Sequence, residues 1–296
     1  MSDKTQFQLS CERDFGEKIN GSFIFLSQNF KQLMGIVLRM CGPVIVGSLF
    51  IGSLLSYNLA SVMHWTSGPK IGNIEQSFSV LVAIYVLIIT AYYLIIILIQ
   101  AAVFGYMKIY AAEGGGNVTF SKVWDAVKKK LAVLFLYKFI LLIGIVAGYA
   151  FAIFPGIYLQ IIFSLFAPVF IIENKSFADS VKRCFEIISD KWWSTFGLMM
   201  VMGLIISAGS YILYLPMVLT GIMISMNMEF RGFLALIIAS GGLLYAAYFM
   251  FAFTLENIST GIQYYNLTEK IDGYGLRKQI EMIGTSDIKE TSKEDF

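Results

Sequence analysis

Six stretches of the chain are almost entirely apolar, and they determine the architecture that the sequence predicts. A helix needs about 20 predominantly apolar residues to cross the hydrocarbon core of a bilayer. The apolar runs are continuous rather than alternating, which favours helices over the strands of a membrane barrel. The predicted spans are residues 33–57, 78–107, 131–154, 157–172, 193–215 and 232–255.

Three further stretches combine an apolar stripe with a charged face. In residues 176–192, Phe177, Ile188 and Trp192 recur at helical spacing, and Ser176 is placed to cap the start of a helix. Such a helix lies in the membrane interface, with its apolar stripe at the headgroup boundary. The other two predicted interfacial helices are residues 14–30 and 119–130.

The predicted fold is therefore an all-α polytopic membrane bundle of six transmembrane helices. They form three hairpins, each preceded by an interfacial amphipathic helix. A shift of 162 positions brings Phe15 onto Phe177 and Gly35 onto Gly197, which indicates an internal repeat. Repeats of this kind are common in membrane folds. The predicted divisions are a single integral membrane domain at 1–280 and a charged cytoplasmic tail at 281–296.

Lysine and arginine are concentrated in alternate connections. Basic residues precede the first apolar run and follow the second, fourth and sixth, whereas the opposite connections carry only Lys70 and Arg231. Cytoplasmic loops carry the excess of Lys and Arg in membrane proteins. The pattern therefore predicts that both termini face the cytoplasm.

Two regions allow more than one assignment. The run at 157–172 is short and contains Pro168. Either its helix continues into the charged stretch, or the turn at 154–156 lies below the outer surface. The apolar segment at 216–230 lies outside the last hairpin. A short interfacial helix is the favoured interpretation there, and a re-entrant segment is the alternative.

Composition supports a membrane protein and excludes several function classes. Hydrophobic residues make up 57% of the chain and charged residues 14%, whereas soluble domains have about half and a quarter. The net charge of +2 is too small to suggest a nucleic-acid partner. His64 is the only histidine in the sequence, which excludes His-rich zinc motifs. We therefore predict no cofactor, no metal site and no enzymatic activity.

Four polar residues lie within or directly after predicted spans, all toward the cytoplasmic half: Arg39, Gln100, Lys138 and Glu256. A charge in lipid is costly, so these are the candidate functional positions. One interpretation is that Arg39 and Lys138 extend to the headgroups and that Glu256 pairs with one of them. The other is a shared polar pocket that holds a lipid phosphate or a small anion. Gln160 is placed toward the opposite side.

Other positions are predicted to contact lipid or a neighbouring helix. Basic side chains on the interfacial helix lie near anionic lipid, and tryptophans form the aromatic belt. The predicted lipid contacts are Lys182, Arg183, Trp192 and Trp193. Gly144 and Gly148 form a GxxxG pattern, which lets the third span approach a neighbour closely.

Two motifs resemble a known family. Residues 154–200 read FPGIYLQIIFSLFAPVFIIENKSFADSVKRCFEIISDKWWSTFGLMM. They are similar to the bacterial membrane-domain family named after glycerophosphoryl diester phosphodiesterase. Residues 262–276 read IQYYNLTEKIDGYGL and are similar to that family's closing Tyr-Tyr-Asp-Leu-Arg motif, with Asn266 in place of Asp and Thr268 in place of Arg. The resemblance implies a multi-span domain of the bacterial inner membrane, without the family's catalytic barrel.

The function predicted from these features is that of a non-catalytic scaffold or accessory subunit of an envelope complex. Its predicted partners are membrane lipids and other membrane-complex subunits. The alternative is a transporter or lipid-handling protein, in which Arg39, Lys138 and Glu256 surround an anion or a lipid headgroup. A membrane-embedded enzyme is the third hypothesis, and it lacks a nucleophile–base pair or a metal set in the sequence.

Overall fold

The computed structural model describes residues 7–62, 71–115, 118–225 and 231–273. Helices and connecting turns account for these residues, and no strand occurs among them, which confirms the all-α prediction for this part of the chain. The predicted tail at 281–296 lies outside the described residues. The helices are α1 (Phe15–Val62), α2 (Ile71–Glu113), α3 (Phe120–Val127), α4 (Leu131–Phe151), α5 (Ile153–Ser164), α6 (Phe166–Ile172), α7 (Phe177–Ile188), α8 (Trp192–Ser225) and α9 (Arg231–Asp272).

Five stretches of the described residues are long and apolar enough to cross a membrane. They are Phe15–Ile51, Phe78–Glu113, Leu131–Phe151, Ile153–Ile172 and Trp192–Leu215. Length and composition therefore confirm the coarse prediction of several membrane-crossing helices. The sixth span and the grouping into three hairpins stay predictions.

The first helix is continuous where the sequence predicted an interfacial helix followed by a separate span. Its start is fixed by reciprocal capping, because the Glu17 N–H donates to Asp14 Oδ1 at 2.8 Å and the Asp14 N–H donates to Glu17 Oε2 at 3.0 Å. No glycine or proline lies between residues 22 and 34. Because nothing in this stretch interrupts the backbone hydrogen bonds, α1 runs through the predicted boundary.

The stretch at 176–192, by contrast, contains a short amphipathic helix of its own, α7. The Asp179 N–H donates to Ser176 Oγ at 3.3 Å, which is the cap that the sequence predicts. Both α1 and α7 begin at a phenylalanine, Phe15 and Phe177, with an acidic residue in the first turn. These starts are separated by the 162 positions of the sequence repeat.

Prolines explain the breaks between α4, α5 and α6. The chain turns at Ala152, which has extended backbone angles, rather than at 154–156. Pro155 lies in the first turn of α5, where its missing N–H removes no helical hydrogen bond. Pro168 cannot donate to Ser164, four residues earlier, and its ring crowds that carbonyl. Accordingly, α5 ends at Ser164 and α6 begins at Phe166.

The last two helices are longer than their predicted spans. Helix α8 continues through Pro216 to Ser225, so the described part of 216–230 extends this helix. Neither the separate interfacial helix nor the re-entrant segment is therefore present over 216–225. Helix α9 ends at Asp272, and Gly273 follows with a φ of +63°. Glycine adopts this left-handed conformation without steric cost, which stops the helix there.

The bundle has a packed half and an exposed apolar half. In the packed half, large side chains such as Phe25, Tyr106 and Phe166 are fully buried. In the other half, apolar side chains such as Phe50 and Phe151 are exposed, as expected for a surface that faces lipid. Helix α9 packs against α1, α2 and α8, so it lies centrally in the packed half.

Candidate functional site

A cavity of about 590 Å³ lies between α2, α4, α5 and α9. Its volume is within the range of small-molecule and cofactor sites. Helix α2 lines it from Ile89 to Gln100, α4 from Phe135 to Ile145, α5 from Gln160 to Ser164 and α9 from Phe253 to Thr260. We call it the α2–α9 cavity.

The walls of the α2–α9 cavity are mostly apolar, and its charged lining residues are Lys138 and Glu256. On α4 the lining residues are all apolar beyond Lys138, as far as Ile145. On α2 the lining runs from Ile89 to Gln100, roughly 16 Å along the helix axis. The cavity is therefore long enough and apolar enough for a hydrocarbon chain, with polar groups beside it.

Gln100 and Glu256 lie at the same level of the bundle. Two contacts show that helices α2 and α9 run parallel. The ring centroids of Tyr92 and Phe249 are 5.4 Å apart. Farther along both helices, the Tyr265 hydroxyl donates to the Met107 carbonyl at 3.4 Å. The two polar side chains lie between these contacts at matching positions. Asn257 and Thr260 line the same wall as Glu256.

Three polar groups of the cavity lack a side-chain partner among the described residues: Gln100 Oε1, the Lys138 ammonium and the Glu256 carboxylate. The Gln100 Oε1 atom is buried and accepts no hydrogen bond within the described structure. Among the described residues, the side chains of Lys138 and Glu256 form no ion pair, either with each other or with a third residue. A desolvated charge normally requires a partner. The cavity thus presents a cation, a carboxylate and an amide oxygen to an occupant.

A second void of about 10 Å³ adjoins the α2–α9 cavity and shares Glu256 with it. Its volume is that of one water molecule. Gln263 donates from Nε2 to Thr195 Oγ1 at 2.8 Å, while its Oε1 is buried without a partner in the described chain. The polar lining therefore continues from the cavity toward the centre of the packed half.

The structure places three of the four predicted pocket residues, Gln100, Lys138 and Glu256, around one cavity. The fourth, Arg39, is exposed elsewhere, and its guanidinium lies 5.8 Å from the centre of the Phe120 ring. Gln160 lines the same cavity, although the sequence placed it toward the opposite side. Its Oε1 accepts a hydrogen bond from the Tyr149 hydroxyl at 2.5 Å.

The two basic residues of α7 differ in their surroundings. The Lys182 side chain is 79% exposed, and contact with lipid stays a prediction for it. The Arg183 side chain is only 12% exposed and lies against Glu173 and Asp272. Burial opposes the charged form of Arg183, but these two carboxylates outweigh burial and raise its pKa.

The other predicted lipid and helix-packing residues also differ in their surroundings within each pair. Trp192 is buried and stacks on Phe196 at 5.3 Å between ring centroids, whereas Trp193 is 71% exposed. A Cβ at Gly148 would lie 3.2 Å from the Gly156 backbone, so this position allows a close approach of α4 and α5. At Gly144, by contrast, such a Cβ would meet no atom of the described residues within 4 Å, apart from the adjacent residues and backbone of α4.

The polar cavity residues that were missed in the sequence include Ser164, Asn257 and Thr260. The signal for the last two was present, because polar residues recur through 254–269 within an otherwise apolar helix. A buried polar face on a helix indicates that it packs against other polar groups or lines a cavity.

Comparison of the chain with family models, with curated proteins and with solved structures finds no match in any of the three. The resemblance to the membrane-domain family, carried by residues 154–200 and 262–276, therefore stays a prediction. The function has to be argued from the α2–α9 cavity itself.

Proposed function

We propose that this chain is a multi-pass membrane protein that binds an amphiphile in the α2–α9 cavity. The observation that supports this function is that Lys138, Glu256 and the buried Gln100 Oε1 line one mostly apolar cavity and have no side-chain partner in the described part of the chain. Apolar walls of this length favour a hydrocarbon chain over a wholly polar solute.

The polar groups define the headgroup of the proposed amphiphile. Lys138 donates to an anionic group, such as a phosphate or a carboxylate. Glu256 and Gln100 Oε1 accept from a hydroxyl or an ammonium group. A headgroup that carries both an anion and hydrogen-bond donors offers a partner to each of these three residues. Membrane phospholipids with amino or hydroxyl headgroups have this chemistry.

Substitution of Lys138 tests the proposal. Lys138→Met keeps the apolar stem but removes a charge-assisted hydrogen bond, which contributes about 1.5–3 kcal/mol. We therefore expect affinity for the bound amphiphile to fall about 10- to 100-fold. Native mass spectrometry of the protein extracted in mild detergent identifies the retained amphiphile and measures its loss.

The matched control is Arg39→Met, which removes a positive charge outside the cavity. Ile145→Trp fills the apolar part of the cavity without removing a polar group, and it should also reduce retention. Both cavity variants should elute as monodisperse particles with wild-type thermal stability. Equal amphiphile retention by Lys138→Met and Arg39→Met would contradict the proposal.

The role of scaffold or accessory subunit stays a second proposal. It is supported by the charged face of α7, where Lys182 is 79% exposed and the Glu186 side chain 48% exposed. Such a face is free to contact the soluble part of another subunit. Co-purification at native expression tests this role, and a partner should be lost on Lys182→Glu. A lone particle would count against the scaffold.

We also propose that α9 supplies the sixth span and that both termini face the cytoplasm in a bacterial inner membrane. The proposal is supported by the distribution of Lys and Arg between the connections. Reporter fusions after residues 115 and 175 should both report the cytoplasmic side. A periplasmic signal at either position would exclude this topology.

A further inference from the structure

Two lysines from different elements converge on the end of α6, outside the α2–α9 cavity. Lys108 of α2 donates from Nζ to the Ile171 carbonyl at 2.9 Å and to Asn174 Oδ1 at 2.9 Å. Lys130, which precedes α4, donates to the same carbonyl at 3.1 Å, to the Phe170 carbonyl at 3.2 Å and to Asn174 Oδ1. Because they share an acceptor atom, the two ammonium groups lie at most about 6 Å apart.

The acceptors of these two lysines are all uncharged, and the nearby carboxylate of Glu173 is already bound to other side chains. Among the described residues, neither lysine forms an ion pair with a carboxylate. Glu173, next to Asn174, binds Lys175 at 2.7 Å through one oxygen and accepts from the Tyr264 hydroxyl at 2.9 Å through the other. The pair therefore carries two positive charges without a counter-charge.

The surroundings of Lys130 destabilise its charged form, so a bound anion would stabilise the ammonium group. Burial, and next the nearby charge of Lys108, lower the pKa of Lys130 to about 8. Asn174 holds a left-handed backbone conformation, with a φ of 57°. That conformation is uncommon for a residue other than glycine, and here it accompanies an Oδ1 that contacts both ammonium groups.

We infer that Lys108 and Lys130 form a binding site for a phosphate group. Lys108 donates to two acceptors and keeps a third N–H for a phosphate oxygen. Lys130 would exchange its 3.2 Å hydrogen bond to the Phe170 carbonyl for a second phosphate oxygen. A lipid headgroup and a soluble phosphate compound supply the same chemistry. The site is separate from the proposed amphiphile cavity, because neither lysine lines that cavity.

The test compares phosphatidic acid with diacylglycerol, which has the same chains but no phosphate, and with inorganic phosphate. Binding to the full-length protein in detergent is measured by native mass spectrometry for the lipids and by calorimetry for inorganic phosphate. In the Ile145→Trp background, whose α2–α9 cavity is filled, we expect phosphatidic acid to bind and diacylglycerol not to bind. Competition by millimolar inorganic phosphate would indicate a soluble ligand, and its absence a lipid.

Two double Met variants that remove the same number of charges distinguish a specific phosphate site from nonspecific electrostatic attraction. Lys108→Met/Lys130→Met should weaken phosphatidic acid binding at least 10-fold, and Lys108→Arg/Lys130→Arg should restore it. Lys128→Met/Lys129→Met removes the same number of charges from neighbouring exposed positions and should change affinity less than 3-fold. Equal losses in the two Met variants, or equal binding of the two lipids, would overturn the inference.

A second measurement needs no variant, in case the Met pair prevents folding. In the wild-type protein, bound phosphatidic acid should slow acylation of the Lys108 and Lys130 amines relative to Lys129, as read by peptide mass spectrometry. Unchanged relative rates would also overturn the inference. Failure of this test can be told apart from failure of the proposed function, because Lys138→Met alters the α2–α9 cavity and leaves Lys108 and Lys130 in place.

Discussion

Arg183 joins the loop after α6 to the end of α9, and its removal should destabilise the bundle. Its Nε lies 3.4 Å from Glu173 Oε1, and its Nη2 contacts Asp272 Oδ2. The Arg183 side chain is 12% exposed, and those of Glu173 and Asp272 are 17% and 21% exposed. Arg183→Met keeps most of the apolar stem and leaves both carboxylates without this partner.

The expected loss of stability follows from these contacts. Removal of one partner of a fully buried ion pair costs about 3–5 kcal/mol, because the other charge stays buried. Here both carboxylates are partly solvated, and Glu173 keeps Lys175 and the Tyr264 hydroxyl. We therefore expect a loss of about 2 kcal/mol, which corresponds to roughly 5 °C in the unfolding temperature of a chain of this size.

Thermal unfolding in detergent, followed by size-exclusion chromatography of the remaining monodisperse protein, measures this loss. Lys182→Met is the matched control, because this neighbouring side chain is mostly exposed and should cost less than about 0.5 kcal/mol. A double-mutant cycle with Asp272→Asn should give a coupling energy of about 1–2 kcal/mol. Equal shifts for Arg183→Met and Lys182→Met, or an additive cycle, would refute the reasoning.

Two further variants test the packing. A Cβ at Gly156 would lie 2.4 Å from the Tyr149 ring, so Gly156→Ala should cost about 1–3 kcal/mol in the same unfolding assay. Gly144→Ala, which meets open space, should be neutral, and equal effects would contradict the contact. Cys184 is buried, and burial raises its pKa to about 12. Maleimide at pH 8 should therefore label the half-exposed Cys11 and spare Cys184 until the protein unfolds.

Depth in the bundle could be predicted from the sequence, but rotation about each helix axis could not. The lengths of the apolar runs place Arg39, Gln100 and Glu256 at similar depths. Gln100 and Glu256 face the same cavity, while Arg39 faces outward beside Phe120. An apolar helix carries little amphipathic signal to fix its orientation. Only the packing of neighbouring helices decides which side of α1 faces the cavity.

The sequence predicted the helix break that a proline causes. It did not predict helix boundaries correctly where polar residues alone suggested them. Pro168 indicated an interruption, and α5 ends four residues before it. The polarity of residues 14–30 suggested a separate helix, yet polarity does not break backbone hydrogen bonds, and α1 continues. The site at Lys108 and Lys130 was not foreseen, because its residues come from three separate parts of the chain.

The buried polar face of α9 has a consequence for biogenesis. Its side chains would be costly in lipid, and several of their partners come from earlier parts of the chain. Gln263 binds Thr195, and Asn266 accepts from the Arg13 N–H at 2.8 Å. Synthesis proceeds from the N-terminus, so these partners have emerged when the ribosome reaches α9. We therefore expect a chain that ends before α9 to leave Thr195 and the Arg13 N–H without these partners, and to be less stable than the full chain.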